Sequence, residues 1–164
     1  MTITLALFLL GTVACNHTAD NITRTAPNFT LKDLSGRDVS LVDFEGKVVL
    51  VDFWAMWCPP CRKSIPELVS LQEQYREEGL VIIGISLDDP KKADDRSLID
   101  FKKLHRINYP VLRGADVFRV VEDYFVDEKL GIPTLFVIDR KGVIVDRHVG
   151  FFPGVLEDSL LSFF

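Results

Sequence analysis

The run Lys47-Val-Val-Leu-Val-Asp-Phe-Trp54 limits the possible architectures of this chain more than any other stretch. It is apolar at consecutive positions and rich in β-branched residues. Both faces of the strand it forms must therefore be covered, the mark of a central strand in a layered sheet. One acid, Asp52, interrupts it. Past Trp57 comes Cys58-Pro59-Pro60-Cys61, and behind it Ile65, Leu68, Val69, Leu71, Gln72 and Tyr75 recur in a helical rhythm up to Glu78. Gly79 supplies the expected C-cap and Pro66 predicts a kink.

The other elements read from the same periodicities. Phe29 to Phe44 alternates apolar and polar on both sides of Ser35-Gly36, as a hairpin does, and Asp43 to Lys47 then makes a turn. Leu80 to Leu87 is a second buried strand. Asp94 to Arg106 carries acids at its start, bases at its end and Leu98, Phe101 and Leu104 on one side, an amphipathic helix suited to its dipole. Tyr109 to Leu112 is a short strand, and Val117, Val120, Val121, Tyr124 and Phe125 mark another helix. Pro133 to Asp139, the turn Arg140-Lys141-Gly142, and Val143 to Val149 form a hairpin. Val155 to Phe164 can supply a last short helix. Strands alternating with helices, then an antiparallel edge pair, predict an α/β sandwich with parallel strands first.

Length and charge narrow the function. The 164 residues make one domain, and a net charge of −5 gives no clustered Lys/Arg footprint for nucleic acid or anionic lipid. Ile3 to Leu10 is an apolar run too short to span a bilayer and shaped like the core of a signal peptide, which assigns residues 1–14 to a leader. Thr12-Val13-Ala14-Cys15 resembles a lipoprotein cleavage box with Cys15 as the lipidated residue; ordinary secretion after Ala14 is the alternative. Both readings place the chain outside the cytoplasm, anchored, where lipidated, at a membrane surface. Residues 15–28 are polar and read as a tether, and 29–164 as the folded domain. Asn16, Asn21 and Asn28 head N-x-T triplets, which arise easily in such a linker.

The cysteine pair carries the chemistry. Cys-x-x-Cys at a helix start puts both sulfurs on the first turn, at the positive end of the dipole, which favours thiolate at Cys58. Cys58 thus reads as the attacking, solvent-facing sulfur. Pro59 and Pro60 fit the first turn, where backbone donors have no intrahelical partner, but neither can donate to the thiolate. The amide of Cys61 is left to do so, and the expected pKa is only moderately lowered, to about 7. Cys61, one turn deeper, needs a base to act as resolving sulfur. A carboxylate buried in an apolar strand rises toward neutrality, which suits Asp52 to that proton; an Asp that reaches solvent at a strand end is the alternative.

Val-Asp-Phe-Trp-Ala-Met-Trp-Cys-Pro-Pro-Cys, Val51 to Cys61, resembles the thioredoxin motif, with Pro66 on the family's kinking proline. Gly131-Ile-Pro-Thr-Leu-Phe-Val-Ile-Asp139 resembles the segment with the family's cis-proline. The tether, the leading Ala26 to Lys47, the extra helix after Ser86-Leu-Asp-Asp-Pro90 and Asp139 to Val145 are similar to the extracytoplasmic TlpA/ResA branch. The resemblance covers about Pro27 to Gly150. It implies a thioredoxin fold, three layers α/β/α around a mixed sheet, with an N-terminal β-hairpin and an inserted helix. It further implies a thiol-disulfide oxidoreductase with Cys58 and Cys61 as redox-active pair and Asp52 as the acid. Pro133 and Ile132 would hold a substrate strand, with Trp57, Pro59 and Pro60 shaping the surface around Cys58. The partners implied are protein thiols and disulfides and an upstream membrane electron donor, with a monomeric chain and no cofactor or metal. That branch usually carries Glu three residues after the second cysteine and Asn on the strand. Here Ser64 and Asp52 stand there, which speaks for general dithiol exchange over a narrow role such as apocytochrome c reduction.

Two rivals deserve weighing. Peroxiredoxins share the opening and have a Gly-Lys-x-Val-Val-Leu stretch, similar to Gly46-Lys-Val-Val-Leu50 here, but need Thr three residues before the reactive cysteine, where this chain has Ala55. A metal-binding or copper-carrier module would need ligands beyond the two thiolates, and His105 and His148 are the domain's only candidates.

Overall fold

The computed structural model describes residues 23–114, 116–126 and 129–164. The expectations for residues 1–14, Cys15, Asn16 and Asn21 lie outside them.

β1 (Arg24–Thr25), β2 (Thr30–Asp33) and β3 (Asp38–Ser40) open the chain, followed by a 3-10 turn, Leu41–Phe44. Then come β4 (Val48–Trp54), α1 (Pro59–Tyr75), β5 (Leu80–Ser86), α2 (Asp95–Leu104), β6 (Val111–Arg113) and α3 (Val117–Tyr124). The chain closes with β7 (Thr134–Ile138), β8 (Val143–Val149), α4 (Val155–Leu160) and a last 3-10 turn, Leu161–Phe163. Among the described residues one sheet holds eight strands in the order β1-β8-β7-β4-β5-β6-β2-β3. β4, β5 and β6 run parallel, and β7 lies antiparallel on the other side of β4.

β4 is buried at every position, as its composition requires, and its side chains alternate between two cores. Val48, Leu50 and Trp54 join the layer formed with Ile65, Leu68 and Leu71 of α1, Leu98 of α2, and Leu156 and Leu160 of α4. Val49, Val51 and Phe53 join the layer closed by Val117, Val120 and Tyr124 of α3 and by Phe29, Leu31 and Leu41 of the N-terminal segment. The three-layer α/β/α arrangement with its hairpin and inserted helix is the expected thioredoxin fold.

Local differences from the sequence reading have identifiable causes. Arg24–Thr25, within the stretch read as tether, pairs with Val143 and Ile144 of β8, so β8 is not an edge. The Arg24 guanidinium donates to the carbonyls of Asp123 (3.2 Å) and Tyr124 (2.6 Å), which fixes the strand from the helix side. The hairpin's second strand stops at Ser40, whose amide donates to the Asp43 carboxylate and thereby starts the 3-10 turn that buries Leu41. α1 contains Pro66 and ends at Tyr75, short of the expected Glu78, with Gly79 (φ 97°) closing the turn beyond.

Candidate active site

Cys58 is the N-cap residue of α1, and Pro59 and Pro60 occupy the first helical positions, where their fixed φ suits the helix and their missing donors cost nothing. The structure holds Cys58 and Cys61 as a disulfide, with Cα atoms 5.3 Å apart. The Cys61 amide donates to the Cys58 sulfur at 3.2 Å, the donor left once both prolines are discounted. Pro59 and Pro60 are exposed on the surface of the turn.

The Ile132–Pro133 bond is cis. It brings the Ile132 carbonyl to 3.6 Å from the Cys58 sulfur, across 74 residues of chain. In the dithiol form this separation lets the Cys58 thiol donate to that carbonyl; a substrate backbone amide could compete for the same acceptor. The expected solvent-facing Cys58 is not what this redox state shows. The residue is only 2% exposed, because its sulfur is turned inward between the Cys61 amide and the Ile132 carbonyl. Beside the exposed prolines stands Trp57, 65% exposed, which with Met56, Leu87, Asp88, Asp89, Lys92 and Ala93 lines an open groove beside the pair.

Asp52 lies on β4 between Gly84 of β5 and Leu135 of β7. By strand alternation it shares the face of Leu50 and Trp54, the face that carries Cys58, Cys61 and α1. It is 1% exposed and its Oδ1 has no hydrogen-bond partner. Burial alone pushes its pKa from 3.8 up to about 7. The reading as a solvated strand-end Asp does not hold. The neighbouring Tyr109 is likewise pushed well above 10, first by burial and then by the Asp52 charge. Ser64, where the branch usually has Glu, is buried and its hydroxyl donates to the Cys61 carbonyl at 2.8 Å.

Trp54 packs: it is 2% exposed, its ring lies 5.4 Å from that of Phe101, and its indole is seated over Gly84. His105 ends α2 with its ring 4.1 Å from Phe101, and His148 on β8 lies 3.1 Å from the Asp146 carboxylate. Neither joins the cysteines, and among the described residues no three His, Cys, Asp or Glu side chains are grouped to hold a metal ion. No helix of the described residues is long and apolar enough to cross a membrane.

One acid near the site was not picked out by its sequence. Asp88 follows β5 in Ser86-Leu87-Asp88-Asp89, which reads as the approach to a helix, yet its carboxylate accepts from the Met56 amide with both oxygens, at 3.0 and 3.2 Å. The available signal is a polar pair, Ser86 at the buried last position of β5 and Asp88 two residues beyond it.

The geometry has counterparts among known proteins. A profile of the AhpC/TSA family matches residues 22–147. The chain is 38% identical over 125 residues to the thioredoxin-like protein YneN of Bacillus subtilis, covering 76% of this chain and 69% of that one. It is 33% identical over 129 residues to the thiol-disulfide oxidoreductase ResA of Bacillus cereus, covering 79% and 70%. Among solved structures, a thioredoxin-family thiol:disulfide interchange protein of Chlorobium tepidum superposes with a TM-score of 0.74 at 30% identity, over 88% of this chain and 97% of the other. The thioredoxin domain of a Bacteroides vulgatus thiol-disulfide oxidoreductase does so with 0.74 at 30% identity, over 85% and 95%.

Proposed function

From the premise that this chain belongs to the AhpC/TSA family and is a thiol-disulfide oxidoreductase of thioredoxin fold, we propose that it reduces protein disulfides outside the cytoplasm through Cys58 and Cys61. The observation that carries the reading is the Cys58 sulfur at the tip of α1, against the Ile132 carbonyl that precedes cis-Pro133.

The cycle starts from the dithiol. The Cys58 thiolate attacks one sulfur of a substrate disulfide, the substrate's other sulfur leaves as thiolate, and a mixed disulfide forms. The Asp52 carboxylate takes the proton of the Cys61 thiol. The Cys61 thiolate then attacks the Cys58 sulfur and releases the second substrate thiolate. Two electrons have passed to the substrate and the chain is left with the disulfide seen here. An upstream dithiol donor, such as one delivering electrons through a membrane, reverses the last steps. With a pKa of about 7, Asp52 is poised to accept and return that proton near neutral pH. Ile132 offers its backbone to an extended substrate segment, with Pro133 behind it, and Trp57, Pro59 and Pro60 form the apolar rim.

The reducing direction rests on hydrogen-bond supply. A strong oxidant of this type stabilises its reduced form, largely as a thiolate. Here Pro59 and Pro60 withhold two amides from Cys58, so that stabilisation is small. Ala55 offers no hydroxyl to orient a peroxide, which speaks against a peroxidase. The leader at residues 1–14, a tether from Cys15 onward with Cys15 lipidated, and a monomeric folded domain that takes in Arg24 complete the proposal.

Substitution tests it. In an insulin-reduction assay Cys58→Ser abolishes turnover, and Cys61→Ser accumulates a mixed disulfide detectable by mass. Retained turnover in Cys58→Ser overturns the reading. Stoichiometric copper or zinc binding without turnover of any disulfide would favour the carrier reading.

A further inference from the structure

We propose that Asp88 is a positioning residue for the redox pair, a latch that holds the turn before Cys58 in place when the disulfide is open. The inference rests on the assignment of Cys58 and Cys61 as that pair.

Most carboxylates of this chain that accept backbone amides serve their own turns. Asp33 accepts from Ser35 and Arg37, Asp94 from Ser97, and Asp139 from Lys141 and Val143. Asp88 reaches across 32 residues to the backbone two positions before Cys58. The reason lies in the parallel ladder. β4 and β5 end together, with Trp54 beside Ser86. The Leu87 amide still donates to the Trp54 carbonyl at 2.8 Å, but β5 then turns away. The Met56 amide would lose its partner at a half-buried position, a costly omission. The Asp88 carboxylate takes the place of the missing strand carbonyl.

The latch is itself held. The Ser86 hydroxyl donates to Asp88 Oδ2 at 2.9 Å and receives the Asp88 amide at 3.2 Å. Asp88 is only 6% exposed, so water competes little for these bonds. Beyond Met56 the turn closes when the Cys58 amide donates to the Ala55 carbonyl at 3.2 Å. The segment from Ala55 to Cys58 is thereby fixed at its head by Asp88 and at its foot by α1, and Trp57 projects from its middle.

No sulfur takes part in these bonds, so they persist when the disulfide opens. In the disulfide form the turn is also restrained covalently. In the dithiol form Asp88 is the restraint that keeps Cys58 facing Cys61, and it raises the effective concentration of one thiol toward the other. Loss of the latch frees the dithiol more than the disulfide. The equilibrium constant for forming the disulfide at the expense of glutathione disulfide therefore falls, and the chain becomes a weaker reductant.

The test equilibrates full-length wild type, Asp88→Ala, Asp88→Asn and Ser86→Ala with glutathione buffers and reads the dithiol fraction by alkylation and mass. Asp88→Ala lowers the equilibrium constant about three- to tenfold, equivalent to about 15–30 mV. Asp88→Asn keeps one acceptor oxygen and falls between, by about twofold or more, and Ser86→Ala changes it least. If Asp88→Ala does not fold, Asp88→Asn decides alone. A constant within about 1.5-fold of wild type in Asp88→Asn, and in Asp88→Ala where it folds, overturns the proposal whatever happens to the melting temperature, since a purely structural residue changes stability and leaves the potential alone. A wild-type chain that fails to equilibrate with glutathione at all would instead overturn the assignment of the redox pair.

Discussion

Replacing Asp52 by Asn should stabilise the fold at alkaline pH relative to acid pH. The unfolded Asp52 carboxyl loses its proton near 3.8, whereas the folded one holds it to about 7 because burial disfavours the charge. Below pH 3.8 both states are protonated and the residue adds no pH-dependent cost. Between 3.8 and 7 the unfolded state binds fewer protons than the folded, so stability falls as pH rises; above 7 the full cost is present. At about 1.36 kcal/mol per pH unit, the full cost is about 4 kcal/mol, an order-of-magnitude value, and at pH 5 it is about 1.5 kcal/mol. Asn cannot ionise and escapes both. Its amide hydrogens enter a site where Oδ1 already lacks a partner, at a cost of about 1–3 kcal/mol, but that cost is the same at every pH. The diagnostic quantity is thus the difference in the mutational effect between pH 5 and pH 8, about 2–3 kcal/mol, read from urea unfolding of the disulfide form. An effect of the same size at both pH values would show that Asp52 is not held protonated by the core, and its service as proton acceptor for Cys61 would lose its physical basis.

Two further outcomes follow. The rate of Cys58 alkylation in the dithiol form should titrate with a midpoint of about 7, below the usual thiol value of about 8.5; a midpoint below about 5 would mean donors other than the Cys61 amide and the helix end serve the thiolate. Gly84→Ala would place a methyl carbon 2.9 Å from the Trp54 indole nitrogen and 3.3 Å from the Tyr109 ring. It should cost about 1–3 kcal/mol in urea unfolding, and an unchanged midpoint would mean that Trp54 can shift aside.

Much of the site is legible because its signals are local. The apolar run of β4 demands cover on both faces, and Pro59 with Pro60 marks the first turn of α1 and leaves the Cys61 amide to meet the Cys58 sulfur. What escapes is set by distant partners. Arg24 and Thr25 have no strand pattern of their own and become β1 because β8 offers Val143 and Ile144 and because two carbonyls at the end of α3 receive the guanidinium. Asp88 looks like one more acid in a polar loop until the parallel register sets its carboxylate opposite Met56. The inward turn of Cys58 depends on the Ile132 carbonyl, which the chain supplies 74 residues later.

The additions at the N-terminus have a consequence for how the domain behaves in company. One border of the sheet is the two-residue β1, and the other is the three-residue β3, with the Lys32–Asp38 ion pair across its hairpin. Long bare borders recruit strands from other molecules indiscriminately, and short, charged ones do not. Under the proposed reduction of protein disulfides this blunting would matter: a substrate segment paired by its backbone at Ile132, close to the sulfurs, would have little chance of being captured along the flanks.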